Sequence, residues 1–591
     1  MPPVKPPGRA WAAAAIAALA LPTLIAYNLP PSATFLNQAA ALVGWGVLLF
    51  MLAALLPRGA WHGLAGPTAP LLAALGLLAG AAFVSPVWTG LPWSLALSSG
   101  GAIVAALLAL LCGAALQRAG LGPAAFRAVC IGMLVAGIAG AVIALVQVFA
   151  PGLADGNLLA RSSIPGRAVG NLRQPNHLSS LLLWAIVTLV ALAPTRPLRG
   201  GWAYALAALL LFAVELSGSR TGAVGTLMLA GWGLFDRKLA RPWRLALLAA
   251  PFAYALMWAA MMAWAHGAGG ARLESRFGAA GDISSSRFGI WSNTLELIRA
   301  QPWAGVGWGE FNFAWSLTPF PGRPVAFFDH THNLALQFGV ELGLPLALAV
   351  LVLLGWALVR AGRAARRADA EAAPALRAGF VMVVMMALHS QLEYPLWYVY
   401  FLLPTAFVWG LGLGAAPGAD GAPVRAVTHG AMPLPMSAPH LNPLAAAGIA
   451  LWLCGLLSVL DYARVVVIFA PPEAAPPLAE RIAAGQRSVL FSHHADYAAA
   501  TTPGLGGDPM NGFVGAPHYL LDARLMQAWA RALERIGDEG RAVHVAQRLR
   551  EFRNEQSEPF FQPCDEPDAV IATALFQCRT APGGLGFRDF R

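Results

Sequence analysis

Long apolar stretches separated by short polar connections dominate the chain from end to end. Ala12 to Leu29, Phe35 to Leu56, Ala102 to Leu116 and Leu346 to Leu358 run with almost no ionisable side chain. Runs of this kind suit helices that cross a hydrocarbon core of roughly 30 Å. No alternating ten-residue pattern speaks for a membrane barrel. About thirteen spans are predicted, beginning near residues 10, 33, 67, 93, 124, 177, 201, 220, 244, 331, 375, 395 and 442. The first follows Lys5 and Arg9 as a signal peptide would. Because similar stretches keep following it, it reads as an uncleaved first span.

Composition supports the bilayer as solvent. With 58% hydrophobic and only 12% charged residues, the chain of 591 residues has too little polar side chain to cover a water-soluble core. The net charge of +10 raises the question of nucleic acid, but the basic residues are spread through short connections. They read as topology, so no nucleic-acid partner is implied. With the N-terminus inside, alternate connections carry Arg58, Arg118, Arg196 with Arg199, Arg237 to Arg244, and Arg360 to Arg367, all on the inner side. The same count places outside the segments 150–176 and 265–330, the turns near 218 and 393, and everything after about residue 471.

The fold class predicted is an all-α polytopic membrane protein with about 12–13 transmembrane helices, a large outer loop and a small helical C-terminal domain. Residues 1–413 form the core, with its loop at about 265–330. A Gly-, Ala- and Pro-rich linker follows at 414–440, a last span at 441–470 and the tail at 471–591. The loop is far longer than a helix connection needs, and long loops usually bind or catalyse. It predicts a helix over Arg287 to Ala300, then a tight turn at Gly305, Gly307 and Gly309. Trp303, Trp308, Phe311, Phe313 and Trp315 suit a re-entrant or interfacial segment in the headgroup region. The tail shows helical periodicity from Tyr519 to Phe552, broken near Gly537 to Gly540, as in a helical hairpin. Cys112, Cys130 and Cys454 fall in apolar spans and read as small core residues, whereas Cys564 and Cys578 fall in the polar tail, where, with the tail outside, a disulfide and two free thiols are equally open.

Five polar segments carry candidate chemistry, all on the outer side. Phe328 to Leu336 holds His330 and His332 at the mouth of the tenth span, and histidine can take the proton that activating an alcohol requires. No third His or Cys stands at ligand spacing, so a metal is not implied, and a polar helix cap is the plain alternative. Ser217 to Gly222 holds Arg220 in a turn, either paired with Glu215 or serving a function. Ser286 to Trp291 places Arg287 at the start of the loop helix. Arginine forks and helix N-termini both take phosphate oxygens, although Arg287 alone could be a solvated charge. Gly170 to His177 puts Gln174 just before the sixth span, where Pro175 stops any helix from continuing through and leaves polar groups facing out, as site groups or as an N-terminal cap. His389 to Tyr398 carries Glu393 and Tyr394 in apolar surroundings, with Tyr398 and Tyr400 read as interface-belt residues.

Together and in this order, the five segments resemble the O-antigen ligase and polymerase superfamily, and most closely its bacterial protein O-oligosaccharyltransferases, the pilin glycosylation ligases. The resemblance runs from about residue 150 to 410 and weakly into the tail. His332, Asn333 and Leu336, with Arg220 in its S-x-S-R-x-G turn, look like the pattern of the whole superfamily. Gln174 to His177 and Leu392 to Trp397 look like the protein-glycosylating branch. The resemblance implies a bacterial inner-membrane, metal-independent glycosyltransferase facing the periplasm. Its expected donor is an undecaprenyl-pyrophosphate-linked glycan, its acceptor a pilin-like periplasmic protein, and it needs no cofactor. His332 would be the essential residue, Arg220 and Arg287 would engage the pyrophosphate, and Gln174 and Tyr394 would shape the site. Asn333, His330 and Glu393 would support them.

Within the superfamily, ligation of O-antigen to the lipid A core and O-antigen polymerisation share the donor chemistry and differ in the acceptor. A transporter or flippase would favour broken helices and paired half-repeats. No such duplication is visible, and the polar motifs crowd one face.

Overall fold

The computed structural model describes residues 8–57, 59–162, 164–193, 201–268, 287–416, 442–505, 508–565, 574–580 and 583–591. Arg58, Arg196 and Arg199, Ser286 with the loop over 269–286, and almost all of the expected linker lie outside these residues. Helix is the only extended regular structure among the described residues, as a chain solvated by lipid requires. Each backbone N–H and C=O must find its partner within its own segment.

The first nine helices are α1 (Gly8–Leu24), α2 (Phe35–Ala53), α3 (Ala65–Thr89), α4 (Trp93–Arg118), α5 (Gly122–Phe149), α6 (Pro175–Leu192), α7 (Gly201–Leu216), α8 (Arg220–Phe235) and α9 (Arg241–Ala268). The loop contributes α10 over residues 287–300 and α11 (Phe311–Leu317). After these come α12 (Leu334–Leu342), α13 (Leu344–Arg367), α14 (Ala373–His389), α15 (Val399–Gly414) and α16 (Pro443–Phe469). The tail holds α17 (Leu478–Gly485), α18 (Ser492–Thr501), α19 (Ala516–Tyr519), α20 (Ala523–Arg535), α21 (Glu539–Glu551) and α22 (Glu558–Phe561).

Eight of the described helices, namely α2 to α6, α9, α13 and α16, are long and apolar enough to cross a membrane, and α1, α7, α14 and α15 are shorter apolar helices. The remaining expected span, α8, has 16 residues and opens on Arg220. The tenth expected span is divided. Gly343, at φ +75°, separates α12 from α13, so the candidate span begins at Leu344 and not near 331.

The chain forms two compact units. The first comprises residues 1–73, 104–280 and 353–457. Its central helix is α6, buried along nearly all of its length and packed on α5, α7, α8 and α14, while α9 is mostly exposed. Small residues let backbones approach within it. A Cβ on Gly410 or Gly414 would lie 2.1 Å from the Leu110 carbonyl oxygen or 2.5 Å from that of Ala114. Close approach of this kind is how helices associate without a hydrophobic drive between them. Cys112 and Cys130 are buried as expected, but Cys454 is exposed on α16.

The second unit comprises residues 74–103, 281–352 and 458–591. Its core joins the loop to the tail: Ile290, Leu297, Phe311, Phe313 and Trp315 pack with Trp529, Leu533, Leu549 and Phe552. This corrects the interfacial reading of the loop aromatics. Phe311, Phe313 and Trp315 are at most 1% exposed, because the tail helices cover them, and only Trp303 stays largely exposed. The expected hairpin is α20 and α21, reversed at Gly537 with φ +82°. Gly305, Gly307 and Gly309 all have positive φ, as a tight turn asks, and a disulfide joins Cys564 to Cys578.

Candidate functional site

In the first unit, three of the sequence segments converge on the N-terminus of α6. Pro175 starts that helix, since its missing N–H would be unsatisfied there anyway. The Gln174 side chain caps it, accepting the N–H groups of Asn176 and His177. The next residue is the hub. Asn176 donates through Nδ2 to Glu393 Oε1 at 2.9 Å, and its Oδ1 accepts the Ser219 hydroxyl at 2.6 Å. Ser219 in turn caps α8, accepting the Gly222 N–H at 2.9 Å. One asparagine thereby ties the α6 entrance to the turn that carries Arg220 and to the segment that carries Tyr394.

Arg167 fixes the same turn from the other side, donating through Nε to the Ser217 carbonyl at 2.7 Å. Arg220 follows as the first residue of α8, its side chain exposed. Glu215, weighed above as its partner, is fully buried. Tyr394 is half-buried and stacks on Tyr398 with ring centroids 6.1 Å apart. Behind this layer lies a buried polar row that the sequence reading missed. His177 Nδ1 meets the Tyr400 hydroxyl at 3.1 Å, and Ser180 Oγ meets His389 Nδ1 at 2.8 Å. The two imidazoles stand edge-to-face, 5.9 Å apart. Tyr400 is 4% exposed, which corrects its assignment to an interface belt. A tyrosine hydroxyl buried this deeply needs a partner, and His177 is that partner.

In the second unit, His332 stands at the end of a tight polar turn before α12. Its φ of +56° is the left-handed conformation, which costs a residue with a Cβ and persists only where the surroundings impose it. Three hydrogen bonds impose it. The Trp291 indole donates to the Thr331 carbonyl at 2.8 Å, the Thr331 N–H donates to Gln337 Oε1 at 2.8 Å, and the Thr331 hydroxyl donates to the Asn333 carbonyl at 2.8 Å. Asn333 caps α12, accepting the Leu336 N–H at 3.0 Å. The Phe328 ring meets the half-buried His332 ring edge-on at 5.4 Å. His330 sits 3.1 Å from the Asp329 carboxylate, an ion pair when the imidazole is protonated.

Below the turn, Gln337 donates through Nε2 to Glu341 Oε1 at 2.9 Å. Glu341 lies in α12, ahead of the candidate span. Burial pushes its carboxyl up to about 7, against the charge of His330 and the N–H donors of Gly309, Gln337 and Phe311, which pull it down. Arg287 opens α10 and is partly buried. Gln337 and Glu341 escaped the sequence reading, although two polar residues four apart on an otherwise apolar helix are a legible signal. A hydroxyl oxygen near His332 would meet an imidazole able to accept its proton or hold it in place.

Known families match the chain in the same order as these segments. A protein glycosylation ligase model matches residues 168–193, an O-antigen ligase model residues 205–351, and a model of the C-terminal part of membrane-bound polymerase virulence factors residues 377–559. The first spans Gln174 and Asn176, the second Arg220, Arg287, His332 and Glu341, and the third Glu393, Tyr394 and the tail hairpin. Two relatives come from Acinetobacter baylyi. A general O-oligosaccharyltransferase is 29% identical over 282 residues, 42% of this chain and 45% of its own length. A ComP-specific O-oligosaccharyltransferase is 26% identical over 265 residues, 43% of this chain and 45% of its own. The chain thus spans less than half the length of either relative. Eight candidate spans and three family models matched in chain order lead to one conclusion: this multi-pass inner-membrane protein is similar to the O-antigen ligase superfamily of membrane-bound O-oligosaccharyltransferases and ligases.

Proposed function

We propose that the chain transfers an oligosaccharide from an undecaprenyl-pyrophosphate carrier to serine or threonine hydroxyls of periplasmic proteins such as pilins. The observation that carries the protein acceptor is the match of the protein glycosylation ligase model to 168–193, whose Asn176 organises both the Arg220 turn and Glu393. In the step proposed, the acceptor oxygen bonds to the anomeric carbon while the bond from that carbon to the pyrophosphate oxygen breaks. His332 accepts the hydroxyl proton or orients the hydroxyl, and the lipid pyrophosphate leaves with the electron pair.

Arg220, exposed at the N-terminus of α8, and Arg287, at the start of α10, are assigned to pyrophosphate oxygens, since a guanidinium and a helix N-terminus both favour anions. Gln174 and Tyr394 shape the site, with Asn333, His330 and Glu393 in support. The pyrophosphate is already a good leaving group. Positioning and charge stabilisation therefore supply most of the acceleration, each worth several kcal/mol.

The test is to co-express the chain, or its His332→Ala form, with a periplasmic pilin in a host that makes the lipid-linked glycan, and to record the pilin's intact mass. A glycan-sized increment lost in His332→Ala supports the proposal. An unmodified pilin, with O-antigen gained on lipopolysaccharide or lengthened on its lipid carrier, would move the assignment to the lipid A core ligase or the polymerase.

A further inference from the structure

The backbone at His332 is held by a hydrogen-bond chain whose direction is fixed. The Thr331 N–H can only donate, so the Gln337 oxygen must face it at 2.8 Å and the Gln337 amide nitrogen must face the other way. That nitrogen donates to Glu341 Oε1 at 2.9 Å. Gln337 and Glu341 are 3% and 4% exposed, so water cannot replace either partner cheaply. The chain of bonds runs through α12 from Glu341 to the His330–Thr331 peptide; the next peptide, Thr331–His332, has its carbonyl held by the Trp291 indole, and His332 stands in the left-handed region.

We propose that Gln337 and Glu341 are positioning residues, a buried relay that locks the His330–Thr331 peptide and so, through Thr331, sets the orientation of the His332 imidazole. The inference rests on the reading that His332 acts on the acceptor hydroxyl. Neither residue touches substrate. Their effect is on geometry, and a catalytic group misplaced by about 1 Å loses on the order of a hundred-fold in rate.

A carboxylate–amide exchange tests the relay. Gln337→Leu removes the acceptor of the Thr331 N–H, and Gln337→Glu sets two buried carboxylates side by side. The double exchange Gln337→Glu with Glu341→Gln rebuilds every bond. The carboxylate introduced at position 337 would accept from Thr331 and from the amide introduced at position 341. With full-length protein in membranes carrying the lipid-linked glycan, both single variants are expected to lower kcat roughly ten- to a hundred-fold with the acceptor KM little changed. The double exchange is expected to restore kcat to within about three-fold. Hydrogen exchange at the Thr331 amide should rise in the single variants and return in the double one.

Gln337→Leu with wild-type kcat, activity lost only in step with the thermal midpoint, or a double exchange that rescues neither kcat nor amide protection would each overturn the relay. His332→Ala, run in parallel, separates the two ideas. If it keeps transferring glycan, the reading of His332 fails, while the Thr331 exchange data still decide whether the relay holds the turn.

Discussion

Arg323 is the most deeply committed charge in the loop, and removing it should release the loop from the tail helices. Its guanidinium is fully buried, 3.0 Å from Glu551 Oε2. It donates to the carbonyls of Trp315 at 3.2 Å and Ser316 at 3.3 Å, and also to that of Thr318, all at the end of α11. Phe552 lies against it with the ring centroid 4.4 Å from Cζ. Burial lowers its pKa to about 10 against the pull of Glu551, so it remains charged at neutral pH. Breaking a buried pair by deleting one partner costs about 3–5 kcal/mol. Glu551 keeps Arg548 at 2.6 Å and the Phe320 N–H at 3.0 Å, which places Arg323→Met near the lower end, about 3 kcal/mol. That is roughly a 150-fold increase in the opening equilibrium of the loop and hairpin. The assay is hydrogen exchange on the full chain in nanodiscs, read over peptides covering 311–317 and 539–551. Arg323→Lys, which keeps the charge but not the planar fork, should fall between. Faster exchange by less than about five-fold in Arg323→Met would refute the argument that this arginine staples loop to tail.

Three further outcomes follow from the geometry. His493 and His494 are buried, and burial lowers the pKa of both, that of His494 from 6.5 to about 4. The unfolded chain then binds more protons than the folded one as pH falls from 6.5 to 4, so stability drops over that window, by up to roughly 3 kcal/mol for His494 alone. A thermal midpoint that does not move between pH 7.5 and 5 would contradict this, and His494→Phe should flatten the dependence. At Gly343, φ is +75° and a Cβ would sit 2.3 Å from the Trp303 carbonyl oxygen and 2.5 Å from its carbon, both backbone atoms. Gly343→Ala is therefore expected to cut folded yield and thermal stability sharply, and normal yield with an unchanged midpoint would show that the turn can relax. Replacing Cys564 and Cys578 by serine opens a loop of sequence separation 14 and should cost about 3 kcal/mol, read as lost exchange protection in α22. Unchanged protection there would mean that packing alone holds the segment.

The sequence determined the elements because their causes are local. Helix starts such as Pro175 and Arg220, the hairpin break at Gly537 and the apolar lengths set by the bilayer can all be read from neighbours within a few residues. It also marked the polar segments, since an ionisable or amide side chain stands out against apolar surroundings. It could not say which of these side chains meet, because those partners lie far apart in the chain. Asn176 meets Glu393 across 217 positions, His177 meets Tyr400 across 223, and Phe320 meets Glu551 across 231. Tyr400 passed for an interface residue, and Phe311, Phe313 and Trp315 for a headgroup segment, because an aromatic beside polar residues looks alike whether lipid or a helical hairpin covers it. Only the packed chain decides which, by bringing His177 to one and the tail helices to the others. The same holds in part for His332: its letter was legible and Gln337, held by Glu341, is a near neighbour in the chain, but Trp291 is brought to the Thr331 carbonyl across 40 positions by the fold.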